Sequence, residues 1–167
     1  MNTLTQSAEK RIRIIRKEML AAKIDAVFIN HLPSIRYLTG FSGSSAIVII
    51  KHDVIHFLTN DLYEMQIQTE VYPLKGLITH ISRNSIAEMT AKKMLLKVKN
   101  LGISPGAMSY AMHEALATAF PKVKTVSYGD IVQNVIMSKM PHEVEHIRSA
   151  AKIATKVFNA VIKLIKP

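Results

Sequence analysis

The stretch that decides the fold is Ile35-Arg36-Tyr37-Leu38-Thr39-Gly40-Phe41-Ser42-Gly43-Ser44-Ser45-Ala46, running into Ile47-Val48-Ile49-Ile50. Pro33 opens a short helix that ends near Gly40. Gly40 and Gly43, three apart, permit positive φ and close backbone approach. The apolar run that follows suits a strand covered on both faces. A loop of this kind can cradle a phosphate through its N–H groups. Here it precedes a strand rather than a helix and carries no Lys-Ser/Thr, so it is neither a P-loop nor a dinucleotide fingerprint. The stretch reads as a structural turn that packs Phe41.

On the amino-terminal side, 3.6-residue spacing of Ile12, Ile15, Met19 and Ala22 predicts a helix over Thr5 to Lys23. Ala26-Val27-Phe28-Ile29 follows as a strand. On the other side, Ala46 to Lys51 and Val54 to Thr59 form a hairpin about His52-Asp53. A helix over Asp61 to Gln68 and a strand around Leu77-Ile78-Thr79-His80-Ile81 come next. Ser85 to Lys97 reads as a helix, with Ser85 as cap and Glu88 completing a capping box. Then come a strand at Leu101-Gly102-Ile103, a helix from Ser109 to Phe120 and a strand from Val123 to Val126. Tyr128 to Met137 reads as a helix, and Pro141 opens the last one. That helix carries an apolar stripe of Ile147, Ala150, Ala151, Ala154, Val157, Phe158, Val161 and Leu164. Strands alternating with helices, plus one hairpin, predict a mixed sheet with helices on both faces, a three-layer α/β/α fold. The one internal boundary falls at Lys139-Met140-Pro141, between a domain over residues 1–140 and a helix over residues 141–167.

Length and composition limit the functions available. The chain has 167 residues and 49% hydrophobic content, enough for one domain with its own core. No apolar run reaches the roughly 20 residues that span a bilayer. The start, Met1-Asn2-Thr3-Leu4-Thr5-Gln6, lacks the basic and apolar regions of a secretory signal. With no cysteine, disulfides, thiolate metal sites and thiol nucleophiles are excluded. The expectation is a cytoplasmic protein that engages no membrane. Net charge is +10. Part of the excess lies in Lys10-Arg11-Arg13-Arg16-Lys17, read as a solvated helix face with Ile12 and Ile15 turned inward. With 6% aromatics, no tryptophan and no RNA- or DNA-binding motif, no nucleic-acid partner is expected.

His142-Glu143-Val144-Glu145-His146 matches H-E-x-x-H, in which histidines at i and i+4 bind zinc and the glutamate is general base. Ile147 to Pro167 contains no His, Asp or Glu to complete such a site, and acids at a helix start suit the helix dipole. The reading is therefore structural, with no metal ligand in this chain. His31, His52, His56, His80 and His113 are scattered, read as surface or satisfied core residues with no evident pairing. No catalytic residue is assigned.

Taken in order, the motifs resemble the amino-terminal domain of the creatinase, prolidase and Xaa-Pro aminopeptidase family of "pita-bread" metallohydrolases. The Ile35–Ala46 run resembles that family's signature. Thr59-Asn60-Asp61-Leu62-Tyr63-Glu64-Met65-Gln66 is similar to its Thr-Asp-x-Arg-Tyr-x-x-Gln segment, with Leu62 for arginine and Asn60 for the acid. Leu101-Gly102-Ile103 resembles its Leu-Gly-Phe strand. Lys139-Met140-Pro141-His142-Glu143-Val144 resembles its Lys-Ser-Pro-Glu-Glu-Ile junction, with Ile136 where an arginine is common. Lys166-Pro167 resembles the start of its Lys-Pro-Gly phrase, as in a piece of a longer protein.

The resemblance implies a ribonuclease H-like fold and a non-catalytic role, with residues 141–167 leading into a carboxy-terminal metallopeptidase domain. That domain would hold two divalent metal ions (Mn, Co or Zn) and hydrolyse the bond preceding proline in short peptides. The present domain would shape the substrate cleft and support a homodimer. Tyr37, Phe41 and Tyr63 are the candidates for that cleft or interface, with core aromatics as the plainer reading. The resemblance also leaves open a peptide- or protein-binding domain of an inactive relative, and a creatinase-type amidinohydrolase.

Overall fold

The computed structural model describes residues 3–128 and 131–165. Its contacts divide the chain into two units, residues 1–136 and 137–167. The first unit opens with α1 (Thr3–Ala21), β1 (Ala26–Ile29), α2 (Leu32–Thr39), β2 (Ala46–Lys51) and β3 (Ile55–Thr59). A 3-10 turn (Asp61–Tyr63), α3 (Glu64–Glu70), β4 (Leu77–Ile81), α4 (Ser85–Ala91) and β5 (Asn100–Ile103) follow. It closes with α5 (Tyr110–Ala119), β6 (Lys124–Ser127) and all but the last residue of α6 (Ile131–Met137).

The six strands form one mixed sheet in the order β4-β3-β2-β1-β5-β6. β1, β2 and β3 make an antiparallel meander, with Phe28 opposite Ile49 and Val48 opposite Phe57. β4 joins β3 in parallel, and β5 and β6 extend the other side in parallel. The apolar runs that predicted doubly covered strands alternate between two cores, as the pleat requires. Val27, Ile29, Val48, Ile50 and Phe57 point to one face, against Ile12, Ile15 and Met19 of α1, Ile35 and Leu38 of α2, and Val132 of α6. Phe28, Ile47, Ile49 and Leu58 point to the other, against Met89 of α4 and Leu116 of α5. The result is the three-layer α/β/α arrangement with a mixed sheet.

Two local expectations need correction. α4 ends at Ala91, not Lys97. Lys93 takes a left-handed φ of 52°, and the Met94 N–H donates to the Met89 carbonyl, the closure that stops a helix. The turns beyond it bury Met94, Leu95 and Val98 against the sheet, which a continued helix would carry around its axis. The cap is Asn84, whose side chain accepts the Ala87 N–H at 3.0 Å, so Ser85 is the first helical residue. In addition, Tyr128 is not helical, and α6 is described over Ile131–Met137; residues 129 and 130 are outside the described set.

The second unit contains α7 (Pro141–Val161) and a 3-10 turn (Ile162–Leu164). α7 buries none of its residues, and its stripe is open: Ile147, Val157, Phe158 and Val161 are each at least half exposed. Lys166 and Pro167, whose likeness to a family phrase was noted above, lie outside the described residues.

Candidate functional site

The 35–46 stretch folds as a corner between α2 and β2, fixed by its own backbone. Gly40 ends α2 at φ 87° and donates its N–H to the Arg36 carbonyl at 2.8 Å. That left-handed conformation excludes most other residues, and a Cβ there would also strike the Glu70 carbonyl and the Tyr72 ring. Thr39, fully buried, donates its hydroxyl to the Ile35 carbonyl and accepts the Phe41 N–H.

Phe41 then turns into the core, 1% exposed. Its ring meets Phe57 edge-on at 5.1 Å and Tyr63 edge-on at 5.3 Å. Gly43 lies where a Cβ would run into both the Phe41 and Tyr63 rings, which explains the second glycine. The half-buried Tyr63 reaches the surface with its hydroxyl 2.6 Å from Ser44 Oγ, and accepts the Ser44 N–H. Those hydrogen bonds, from the Ser44 side chain first and its backbone second, lower the Tyr63 pKa.

The loop is tied to α3 by Glu70. Its carboxylate accepts the Ser42 N–H at 2.7 Å, the Ser42 hydroxyl, and the Gln66 amide at 3.0 Å. These contacts, the Ser42 N–H foremost, lower the carboxyl pKa. Thus Tyr63 and Gln66 of the 59–66 segment and Ser42 and Ser44 of the 35–46 stretch, apart in sequence, form one surface. Beside it Arg83 holds the exposed Asp61 with a paired guanidinium contact, 2.9 Å from Nε and 2.5 Å from the terminal nitrogen. That contact lowers the Asp61 pKa. Leu62 next to it is 82% exposed.

Among the three candidate aromatics, Phe41 and Tyr63 come together. Tyr37 belongs to a different contact: the Arg11 guanidinium stacks 3.8 Å over its ring and donates to its carbonyl. Arg11 is only 4% exposed. This corrects the solvated-face reading of the first helix, because Arg11 turns inward with Ile12 and Ile15. Arg16 also turns in, donating Nε–H to the Lys51 carbonyl at 2.8 Å. The long side chains cover apolar surface while their planar heads take up carbonyls at the ends of α2 and β2.

A pair that sequence reading missed lies on β3 and β4. His56 Nδ1 and His80 Nε2 are 3.0 Å apart, and His80 Nδ1 is 3.8 Å from Glu88. Burial, then the neighbouring His80 and Lys51, push the His56 pKa down to about 4, against a smaller opposing pull from Asp53. Burial also lowers His80, with Glu88 opposing. The two residues are 24 apart, and only the parallel β3–β4 register brings them together.

In the second unit, His142 and His146 have ring centroids 6.5 Å apart. Glu143 accepts the Met140 N–H at 2.7 Å, which is the work of a capping residue. Among the described residues, no group of three or more His, Asp or Glu is placed to hold a metal ion, and no helix is long and apolar enough to cross a membrane.

The family model of the creatinase/prolidase N-terminal domain matches residues 11–135. The peptidase YqhT of Bacillus subtilis (strain 168), itself uncharacterized, is 27% identical over 145 residues, 86% of this chain and 40% of that protein. The Xaa-Pro dipeptidase from Bacillus anthracis superposes with a TM-score of 0.85 at 22% identity, over 96% of this chain and 44% of that one. The N-terminal domain of the cytoplasmic peptidase PepQ from Mycobacterium tuberculosis H37Rv gives 0.67 at 23% identity, over 76% of this chain and 98% of that one. The two structures share the fold, and this chain spans less than half the length of YqhT and of the dipeptidase.

Proposed function

Because this chain belongs to the creatinase/prolidase N-terminal domain family, we propose that it is the non-catalytic amino-terminal part of an Xaa-Pro aminopeptidase or dipeptidase. One observation carries the reading: 96% of the chain superposes on 44% of an Xaa-Pro dipeptidase with a TM-score of 0.85. In this reading residues 1–140 form the domain, and residues 141–167 lead into a second, catalytic domain. Two divalent metal ions (Mn, Co or Zn) bind in that second domain. Bound there, such a pair would supply Lewis acidity, for activation of a water and polarisation of the scissile carbonyl. The described residues of this chain offer no cluster for either ion.

The role left to the present domain is to shape the cleft for short proline-containing peptides and to support a homodimer in the cytoplasm. Tyr63 suits that role best, since its hydroxyl stands at the surface on Ser44 while Phe41 fixes its ring from below. Phe41 acts through Tyr63, being buried itself. Tyr37 contributes from α2, its ring set by Arg11. A second reading, a peptide- or protein-binding domain of an inactive relative, is favoured by Leu62, which stands exposed where the family resemblance leads one to expect arginine.

The test compares this chain with a longer product that includes any coding sequence downstream of Pro167. Both are assayed on Xaa-Pro dipeptides and longer Xaa-Pro peptides with manganese, cobalt or zinc. The expected result is turnover by the longer protein alone. Turnover by the 167-residue chain would overturn the division of labour. A longer protein that binds these peptides without cleaving them would establish the second reading instead.

A further inference from the structure

A groove of about 790 Å³ opens between the turns that follow α4 and the end of α5. Its floor is apolar, from Leu95, Val98, Phe120 and Val123. Its lining contains four lysines, Lys93, Lys97, Lys99 and Lys122, and no acidic residue. The nearby Asp25 carboxylate is occupied by the backbone, accepting the N–H groups of Lys99 and Asn100 at 2.8 Å each.

The wall is built before any ligand arrives. Lys51 donates its ammonium to the Met94 and Leu96 carbonyls, holding the turns against the end of β2. Lys93 and Lys97 sit at φ 52° and 65°, a left-handed conformation that a lysine adopts at some cost. Leu96 remains 59% exposed.

Pockets for small molecules fall at about 300–1,000 Å³ and combine an apolar lining with a few placed polar groups. This groove has that size and that makeup, and its charge is of one sign. We propose that it binds a small amphiphilic carboxylate, with an alkyl or aryl body on the apolar floor and the anionic head among the lysines. The site is independent of the peptidase reading and lies wholly within the first unit.

Decanoate is the probe, with decyltrimethylammonium as the control of equal chain and opposite charge. Each is titrated, below its micelle concentration, into the full 15N-labelled chain and followed by amide shifts. Decanoate should give saturable shifts centred on residues 93–99 and 119–123, and the cation should bind at least tenfold more weakly. The double substitution K97E/K122E reverses two surface charges and should weaken decanoate about tenfold, the size expected of two rim charges. Failure of decanoate to saturate those residues would overturn the proposal. So would equal binding of the cation, or an unchanged decanoate affinity in the folded K97E/K122E variant.

Discussion

Acidification from pH 7.5 to 4.5 should destabilise the first unit, chiefly through His56, with His80, whose pKa is also lowered, adding in the same direction. His56 is nearly buried on β3, and its pKa is held at about 4 against an ordinary 6.5, by burial first and then by His80 and Lys51. Between those two values the unfolded chain binds a proton that the folded chain does not. The stabilisation is therefore fully present above pH 6.5 and declines as the pH falls towards 4. At 1.36 kcal/mol per pKa unit, the loss from pH 7.5 to 4.5 comes to about 2.5 kcal/mol. That is a large part of the roughly 5–15 kcal/mol that holds a domain together. The assay is urea unfolding at half-unit pH steps on the chain and on His56→Leu. At pH 7.5 the variant should be less stable by about 1–2 kcal/mol, because His80 loses its partner. It should also lose most of the pH dependence, so the two curves cross between about pH 5 and 6 and the variant is the more stable of the two at pH 4.5. Parallel curves would refute the reasoning and show that the His56–His80 contact does not control the titration.

Two further substitutions probe the corner and the caps. Phe41→Ala removes a ring that is 1% exposed and touches Phe57 and Tyr63, and should cost about 3–5 kcal/mol in urea unfolding while shifting the tyrosine environment of Tyr63 in near-ultraviolet circular dichroism. Asn84→Ala should cost about 1 kcal/mol and Ser85→Ala a few tenths, and equal losses in thermal melts would return the cap to Ser85.

How far the sequence could be read depended on whether the signal was local. Strands such as Ile47-Val48-Ile49-Ile50 are apolar on both faces because both faces are covered, and that shows in the chain itself. The hairpin between β2 and β3 was equally plain. The end of α4 was not, because Lys93 in a left-handed conformation has the same letter as any helical lysine. Asn84 and Ser85 are both good caps, and only the backbone geometry chooses between them. Arg11 looked like its neighbours Lys10 and Arg13, and its burial follows from where Tyr37 lies in space. The Ser42–Glu70 and Tyr63–Ser44 contacts, like the His56–His80 pair, join residues whose distance in sequence carries no period. Gly40 and Gly43 could be marked as turn-makers from the letters, but the rings that exclude a side chain at Gly43 emerge only in the fold.

The strand order also bears on how the chain emerges from the ribosome. β1, β2 and β3 are consecutive and antiparallel, so half of the sheet can pair once residue 59 is free. The parallel neighbour of β1 on its other side is β5, which begins at residue 100. Until then β1 presents an apolar, unpaired flank in Ala26-Val27-Phe28-Ile29, the kind of exposed edge that recruits other chains. The interval is the synthesis time of about 40 residues, several seconds at roughly 5–20 residues per second. Nascent-chain aggregation should therefore peak while the emerged part of the chain ends between residues 60 and 105, and fall once β5 has emerged and docked.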